Sequence, residues 1–252
     1  MTSVDYPEEG NAWCAAVEDS SWWFQHRNRF LLEVMRRFPP QTPLVDVGGG
    51  NGVVAAALQR AGIRTTVVEP GVAGVQRARE RGLDAKLATL ETAGLAPNSV
   101  GAIGLFDVLE HIDDADAFLR TARSLLRPGG RLYLTVPAYG ALWSAEDVYA
   151  HHFRRYTRGG MRRALDRAGF GVELMTYMFA FLPLPILLAR SIPYRLGRAR
   201  PFTPDNVRAD HEGRAGIVRA LLDRILALEL GTFRRLGALP FGGSVVAVAK
   251  KP

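Results

Sequence analysis

The chain has 252 residues, of which 48% are hydrophobic and 23% charged, a composition typical of a protein that buries a sizeable core. Cys14 is the only cysteine, which excludes a disulfide framework and a thiolate metal cage and favours a reducing compartment. The start MTSVDYPEEG is polar and acidic, so we do not expect it to act as a secretory signal. The formal net charge is +7, and residues 141–252 carry 18 basic against 9 acidic side chains, a local excess of +9.

The first predicted element is a helix over residues 20–38, which Pro39 and Pro40 end. Strands and helices then alternate with short connections. Apolar runs predict strands at 44–48, 64–70, 84–88, 99–108, 131–137, 171–179 and within 242–252, and periodic runs predict helices at 53–62, 72–82, 114–130 and 158–170. Such alternation predicts an α/β fold built on a doubly wound, mainly parallel sheet.

Residues 180–240 interrupt this alternation. An uncharged run of sixteen residues, Leu174 to Ala189, is followed by four arginines, and an amphipathic helix is predicted over 214–237. The run is shorter than the ~20 residues that span a bilayer, and two prolines lie inside it. We expect a helical lid that either packs on the core, or else rests on a membrane surface or admits a long apolar substrate.

Three parts of the chain are therefore expected. Residues 1–43 form an N-terminal helical cap, residues 44–179 and 242–252 form the core, and residues 180–241 form a basic and apolar insertion. The basic excess of the last part suggests an anionic substrate, a membrane surface or nucleic acid, although an arginine-rich composition also accounts for it.

The motif DVGGGNG, residues 46–52, lies between a predicted strand and a predicted helix. Glycines let the backbone turn tightly and let a ligand approach it, and the following helix presents unpaired N–H groups. A nicotinamide or flavin site would have the spacing G-x-G-x-x-G, but counting from Gly48 the third glycine position is Val53. A dinucleotide oxidoreductase is therefore disfavoured.

Three further motifs follow the glycine-rich one. Glu69 ends the second strand, where a carboxylate can accept hydrogen bonds from a ribose diol. The fourth strand runs into FDVLEH, residues 106–111, and RPGG, residues 127–130, precedes the fifth. Glu69 together with DVGGGNG predicts a ligand that contains adenosine.

In order and spacing these motifs resemble the class I S-adenosylmethionine-dependent methyltransferases, over roughly residues 44–179 and 242–250. WWFQHR near the N-terminus and the pattern D-x-Y-x-H-H-F-R-R-Y-T resemble a bacterial subgroup of that family. The resemblance implies a Rossmann-like seven-stranded sheet with an antiparallel last strand, and S-adenosylmethionine as cofactor with S-adenosylhomocysteine as product.

The resemblance also implies roles for individual residues. Asp46 and the glycines would hold the methionine end of the donor, Glu69 its ribose, and the segment after the third strand its adenine, while Trp23 and Arg27 cap the site. Packing of Arg27 on its helix with a solvated head group is the alternative for that residue. The expected cofactor-binding residues are Asp46, Gly48, Gly49, Gly50, Gly52, Glu69, Pro70, Thr89, Leu90, Phe106, Asp107, Val108, Trp23 and Arg27.

The segment HHFRRYT, residues 151–157, follows the fifth strand and is expected over the acceptor side of the donor, because ligands of open α/β sheets bind beyond the carboxyl ends of the strands. If it is extended, His151, Phe153 and Arg155 point one way and the residues between them the other. In the pattern of the subgroup that the segment resembles, His152, Arg155 and Tyr156 are the matching positions and His151 is the extra one, so His152 is expected to matter more. The expected catalytic residues are His152, His111 and Tyr156, and the expected substrate-binding residues are Arg155, Tyr139 and Trp143.

Two alternatives stay open for this segment. Arg155 binds either an anionic substrate or an internal carboxylate such as Asp147, and an Asp–Arg–Tyr network that only holds the loop shut would account for the whole pattern. No metal site is expected: Asp113, Asp114 and Asp116 lie close together, but Asp114 can cap the next helix.

The function predicted is transfer of a methyl group to a small-molecule or lipid-like acceptor with some anionic character, with oxygen favoured over carbon or nitrogen. The alternatives are a membrane-associated binding module without turnover and an RNA methyltransferase. A nucleic-acid partner is disfavoured, since no dedicated RNA-binding module is present. The expected location is the cytoplasm, with peripheral contact to the inner membrane face through residues 180–240 as an option.

Overall fold

The computed structural model describes residues 17–199, 203, 206 and 216–252. Its strands are β1 (Leu44–Val47), β2 (Thr65–Glu69), β3 (Asp84–Leu87), β4 (Val100–Phe106), β5 (Leu126–Pro137), β6 (Gly171–Met178) and β7 (Ser244–Lys250). They form one sheet in the order β3-β2-β1-β4-β5-β7-β6. The strands from β3 to β5 pair in parallel, and β7 runs antiparallel to both of its neighbours. The predicted Rossmann-like sheet with an antiparallel last strand is confirmed.

Helices cover both faces of the sheet. They are α1 (Trp22–Arg37), α2 (Val53–Arg60), α3 (Val72–Glu80), α4 (Ala115–Leu125), α5 (Ala145–Tyr149), α6 (Arg158–Arg167), α7 (Pro183–Ile186), α8 (Ile192–Arg195) and α9 (Ile217–Leu236). A π-helical turn, Leu187–Ser191, joins α7 to α8, and 3-10 turns occupy Leu109–His111 and Gly140–Leu142. The predicted helices and strands are therefore present in the predicted order, with shifted ends.

The largest shift concerns the RPGG turn. The sequence predicts a helix to residue 130, but α4 ends at Leu125, and Leu126 already pairs with Val100 in the sheet. The register then shifts before Arg131 pairs with Ala102, so the turn is a bulge inside β5. Gly129 makes the bulge possible with a φ of +78°, and its amide donates to the carbonyl oxygen of Lys251.

Side chains alternate between two cores, one on each face of the sheet. Ile103 and Leu105 of β4 lie in the core beneath α4 and α6, whereas Ala102 and Phe106 lie in the core beneath α1 and α9. Both halves of the chain contribute to each core, so the sheet is buried on both sides as a parallel sheet requires.

Helix α9 is fastened to the sheet by a buried carboxylate. Glu229 accepts hydrogen bonds from the backbone amides of Phe179 (2.8 Å) and Ala180 (2.6 Å), and His26 Nε2 lies 3.0 Å from its Oε1. The ring of Phe233, one turn further on, packs on Phe30 with 4.5 Å between centroids. Helix α9 therefore has a defined seat beside α1 and the end of β6.

Some sequence predictions lie outside the described residues. These are the first part of the predicted cap, residues 1–16 with Cys14, and most of the segment from residue 200 to residue 215. The division into cap, core and lid stays a prediction. Within the described ranges, no helix is both long and apolar enough to cross a membrane.

Candidate active site

The glycine-rich loop leaves β1 at the middle of the sheet, between β2 and β4. Gly48, Gly50 and Gly52 have φ values of +66°, +52° and +77°, a region that side chains other than glycine rarely adopt. A Cβ on Gly48 would lie 2.8 Å from the Val108 side chain, whereas a Cβ on Gly50 would meet no atom within 4 Å. The loop is thus packed at its base and open at Gly50, where a ligand can approach the backbone.

Asp46, at β1, has a buried carboxyl group. It is 1% exposed, and neither oxygen has a hydrogen-bond partner among the described residues. A Cβ on Gly49 would come within 2.9 Å of Asp46 Oδ2, so only glycine lets the loop fold over this carboxylate. Burial raises the pKa of Asp46 to about 7, and Glu69 adds to the rise while Arg27 opposes it. A cationic group of a ligand would compensate this carboxylate.

Glu69 holds the glycine-rich loop to the second strand. Its Oε2 accepts from the amide of Gly50 (2.9 Å) and its Oε1 from the amide of Gly71 (2.8 Å). Burial raises the pKa of Glu69, and the two backbone hydrogen bonds act against that rise. A carboxylate has about four acceptor positions, so two remain for a ligand diol after these contacts.

An ion pair closes α1 over the end of β4. Arg27 Nη1 donates to Asp107 Oδ2 at 2.7 Å, and the Thr135 hydroxyl donates to Asp107 Oδ1 at 3.0 Å. The guanidinium group lies 4.9 Å from the Trp23 ring and 5.0 Å from the Phe24 ring. Arg27 is only 6% exposed, so the alternative of a solvated head group is wrong.

The remaining predicted cofactor residues differ in accessibility. Leu90 and Val108 are 2% exposed and belong to the core beneath α4, and Phe106 is 6% exposed. Thr89 and Pro70 are half-buried at the ends of β3 and β2, on the same edge of the sheet as the glycine-rich loop. Leu90 and Val108 therefore shape the base of the cleft and present little surface to it.

The segment HHFRRYT is organised around Asp147, a completely buried residue of α5. Its carboxylate accepts from His152 Nδ1 at 2.9 Å, from Arg155 Nε at 2.7 Å and from the Ser144 amide at 2.8 Å. Burial alone would raise the pKa of Asp147, but the hydrogen bonds from His152 and Arg155 outweigh it and lower that pKa to about 2. Asp147 is thus ionised at neutral pH, and it forms an ion pair with the guanidinium of Arg155.

Two residues predicted on the acceptor side, Arg155 and Tyr156, therefore bind other groups of the protein. Besides Asp147, Arg155 donates to the Ala138 carbonyl oxygen at 3.2 Å, so the internal carboxylate is its partner and the predicted contact with an anionic substrate is not supported. The Tyr156 hydroxyl is buried and donates to the Leu109 carbonyl oxygen at 3.3 Å. These contacts favour a structural role for both residues: Arg155 pairs with Asp147, whereas Tyr156 is bound separately, by its hydroxyl to Leu109 and by its amide to the Pro137 carbonyl oxygen at the end of β5.

The two histidines of the segment differ in exposure and contacts, while their predicted roles stay predictions. His151 is exposed, with a φ of +54°, whereas His152 turns inward onto Asp147. The strict alternation expected for an extended segment is wrong, because Arg155 and Tyr156 both face inward. The backbone is not a regular strand here: the amide of His152 donates to the Asp147 carbonyl oxygen.

His152 meets two buried groups from the 3-10 turn after β4. Its ring packs edge-on against His111, with 4.7 Å between centroids. Burial, with the neighbouring His152 next, lowers the pKa of His111 to about 3, so His111 is neutral. Glu110 is 1% exposed, its Oε2 has no hydrogen-bond partner in the described part of the chain, and burial raises its pKa.

Ligand atoms of Glu110, His111 and His152 all lie within 4.8 Å of one another, a spacing that a metal ion could use. The expectation of no metal site therefore stays a prediction.

Sequence reasoning missed Glu110, although it adjoins His111, because burial of its side chain depends on the loop that follows β5. It also missed Thr135, which pairs with Phe106 across the sheet.

Tyr139 and Trp143 lie on the loop between β5 and α5. The Tyr139 ring stacks on Tyr177 at 5.2 Å, and burial followed by the Tyr177 contact raises the pKa of Tyr139 to about 12. Trp143 is half-buried after the 3-10 turn. Their predicted role in binding the substrate stays a prediction.

The chain matches a known family. A family model described as a methyltransferase domain matches residues 23–174, more than half of the chain, so the chain belongs to that family. The match begins in α1 and ends in β6, and it includes the glycine-rich loop, Glu69 and the Asp147 network.

Among curated proteins, the ubiquinone biosynthesis O-methyltransferase of Xanthomonas campestris pv. campestris (strain B100) is 31% identical over 135 residues. The match covers 50% of this chain and 56% of that protein, so the chain spans little more than half the length of this relative.

Solved structures show the same fold. A SAM-dependent methyltransferase of Thermotoga maritima, described as a possible histamine N-methyltransferase, has a TM-score of 0.57 and 20% identity, with 92% of this chain and 93% of that chain covered. Geranyl diphosphate C-methyltransferase of Streptomyces coelicolor A3(2), in complex with Mg²⁺, geranyl diphosphate and S-adenosylhomocysteine, has a TM-score of 0.57 and 15% identity, covering 90% and 79%.

Proposed function

We propose that this protein transfers the methyl group of S-adenosylmethionine to an oxygen of a small-molecule or lipid-like acceptor. Membership of the methyltransferase domain family and the name of the Xanthomonas relative support the class of reaction. The observation that favours oxygen as the acceptor atom is the hydrogen bond between His152 and the ionised Asp147, beyond the end of β5.

The cleft fits the donor on its own features. The buried carboxylate of Asp46 is suited to compensate the ammonium group of the methionine part, and the open backbone at Gly50 leaves room for it. Glu69 keeps acceptor positions for the ribose diol, and the Arg27–Asp107 pair holds α1 over the end of β4. When bound, S-adenosylmethionine supplies an electrophilic methyl group.

The chain's own chemistry then concerns a proton. Because Asp147 is ionised, it accepts from His152 Nδ1–H, which leaves the lone pair of a neutral His152 on Nε2. That nitrogen can take the proton of an acceptor hydroxyl as the methyl is transferred, and Asp147 stabilises the imidazolium that forms. Arg155 is a positioning residue, since its guanidinium holds the Asp147 carboxylate in place.

His111 has a different role in the proposal. With a pKa of about 3 it remains neutral over the whole working pH range, so it does not compete for the proton. Its edge-on contact with His152 fixes the orientation of the second ring. Tyr139 and Trp143 would form apolar walls for an acceptor with a ring or a hydrocarbon tail.

The experiment uses two matched variants, His152→Asn and His151→Asn. Titration calorimetry measures S-adenosylmethionine binding, and transfer of a labelled methyl group is measured on a panel of phenols and catechols with and without prenyl tails. We expect His152→Asn to lower kcat by about 10²–10⁴-fold with unchanged donor affinity, since a general base contributes that much. His151→Asn, at an exposed position, keeps wild-type kcat.

Two results would contradict the proposal separately. Well-folded wild-type protein that binds no S-adenosylmethionine would remove the donor assignment. Full activity of His152→Asn would remove the general base and favour an acceptor that needs none, such as an amine or an activated carbon.

A further inference from the structure

Helix α9 carries apolar side chains on two opposite sides, which one helix packed on a protein core does not require. At about 100° per residue, Leu226, Glu229 and Phe233 fall on one side of the helix. Ile217, Leu221 and Leu228 fall on the other, and they lie within about 40° of one another around the axis.

The first side is fully occupied. Leu226 and Phe233 are 4% and 2% exposed, Phe233 packs on Phe30, and Glu229 is bound by two backbone amides and His26. These contacts fix the rotation of α9 about its own axis. The opposite side, which we name the outer face, consists of Ile217, Leu221, Arg224, Leu228, Gly231 and Arg235, and it is turned to solvent.

The outer face exposes large apolar side chains. Ile217 is 88% exposed, Leu221 57% and Leu228 71%. A shallow groove of about 530 Å³ runs along this face, and Leu228 and Gly231 lie in it with Arg224 and Arg235 at its two ends. Such a contiguous apolar patch on a helix that is already seated marks an interaction surface.

The charges of α9 decide which partner the outer face suits. Arg219 pairs with Asp223, Arg234 pairs with Glu33, and Glu229 is buried. Arg224 and Arg235 form no ion pair with any of the residues that the structure describes, and both lie on the outer face, which contains no acidic residue. The face therefore combines exposed leucine and isoleucine side chains with two uncompensated positive charges.

We infer that α9 docks by its outer face on a membrane surface that contains anionic lipid. A helix that lies in the plane of a membrane buries its apolar side chains at the boundary of the acyl chains and places arginines at the headgroups. The helix has this arrangement on the side away from the protein core. The inference does not depend on methyl transfer.

The test measures binding of the full chain to sedimented vesicles. One set contains phosphatidylcholine alone, and the other contains equal parts of phosphatidylcholine and phosphatidylglycerol. The variants are Arg224→Gln/Arg235→Gln, Leu221→Ser/Leu228→Ser, and the control Arg162→Gln/Arg163→Gln, which removes two exposed arginines from α6. Thermal unfolding followed by circular dichroism checks that each variant is folded.

Wild-type protein is expected to bind the anionic vesicles more tightly than the neutral ones, and added salt should weaken that binding. Each arginine near an anionic surface contributes about fivefold in affinity, so the double arginine variant should bind roughly 30-fold more weakly. The double serine variant should lose binding at every salt concentration, and the α6 control should match wild type.

Three results would overturn the inference. One is wild-type protein that does not bind anionic vesicles at low salt. Another is an α6 control that loses as much binding as the outer-face arginine variant, since the charge would then act without a defined surface. The third is a stable dimer in solution that Leu221→Ser/Leu228→Ser dissociates, because a second copy of the chain would then cover the outer face.

Discussion

Asp147 should be the strongest single electrostatic determinant of the loop after β5. Its carboxylate is 0% exposed and accepts from His152, Arg155 and Ser144. The pKa of Asp147 falls from an ordinary 3.8 to about 2, which corresponds to about 2 kcal/mol of stability. Because the folded pKa is the lower one, this stability is complete above about pH 5 and is lost as the pH falls through 2.

Substitution should cost more than protonation. Asp147→Asn keeps the shape but leaves the Arg155 guanidinium, whose side chain is 8% exposed, without its counterion. Breaking a buried pair in this way costs about 3–5 kcal/mol, and at about 2–4 °C per kcal/mol the Tm should fall by roughly 6–20 °C.

The assay is urea unfolding of wild type, Asp147→Asn, Arg155→Met and the double variant at neutral pH. The double variant removes both charges, so it should be less destabilised than the sum of the single variants by at least about 2 kcal/mol. A coupling below about 1 kcal/mol, the value of an exposed ion pair, would refute the reasoning and show that the loop is held by its backbone contacts.

Three further predictions concern the cleft and helix α9. Gly49→Ala should abolish binding of S-adenosylmethionine, measured by calorimetry, because the added Cβ would press on Asp46 Oδ2. The control is Gly140→Ala, whose added Cβ meets no atom within 4 Å. Equal binding by the two variants would contradict the prediction. Glu229→Gln should lower the free energy of unfolding by about 2 kcal/mol, because it weakens the hydrogen bonds from the amides of Phe179 and Ala180. Amide hydrogen exchange should become faster in α9 than in the sheet. An equal increase in exchange throughout the chain would show that Glu229 does not hold α9 in particular. Dialysis against EDTA should leave methyl transfer unchanged if Nε2 of His152 takes a proton. A loss of activity that a divalent cation restores would instead make His152 a metal ligand.

Local patterns predicted the parts of this protein that depend on neighbours in sequence. Apolar runs and short connections predicted the sheet, and the spacing of DVGGGNG predicted a loop whose positive φ values only glycine adopts readily. The helix end before β5 was misplaced, since a Pro-Gly-Gly segment stops a helix and also forms a bulge in a strand. Pairing of Leu126 with Val100 decided between the two.

The chemistry of the candidate site followed the same division. The sequence distinguished His152 from His151 through the pattern that contains them, but it left open whether Arg155 binds a substrate or a carboxylate. Only the tertiary structure brought α5 and its Asp147 under both His152 and Arg155.

By itself, then, the sequence determined the order of the strands along the chain, the glycine-rich loop and the acidic residue that follows β2, because backbone conformation and burial pattern act over a few residues. The tertiary structure decided which charges meet. A guanidinium that a solvated loop would leave free is bound to Asp147, the ring of His111 is kept neutral, and the arginines of α9 are divided between paired and exposed positions. Electrostatic roles depend on distance and burial across the fold, and neither is written in the spacing of the residues.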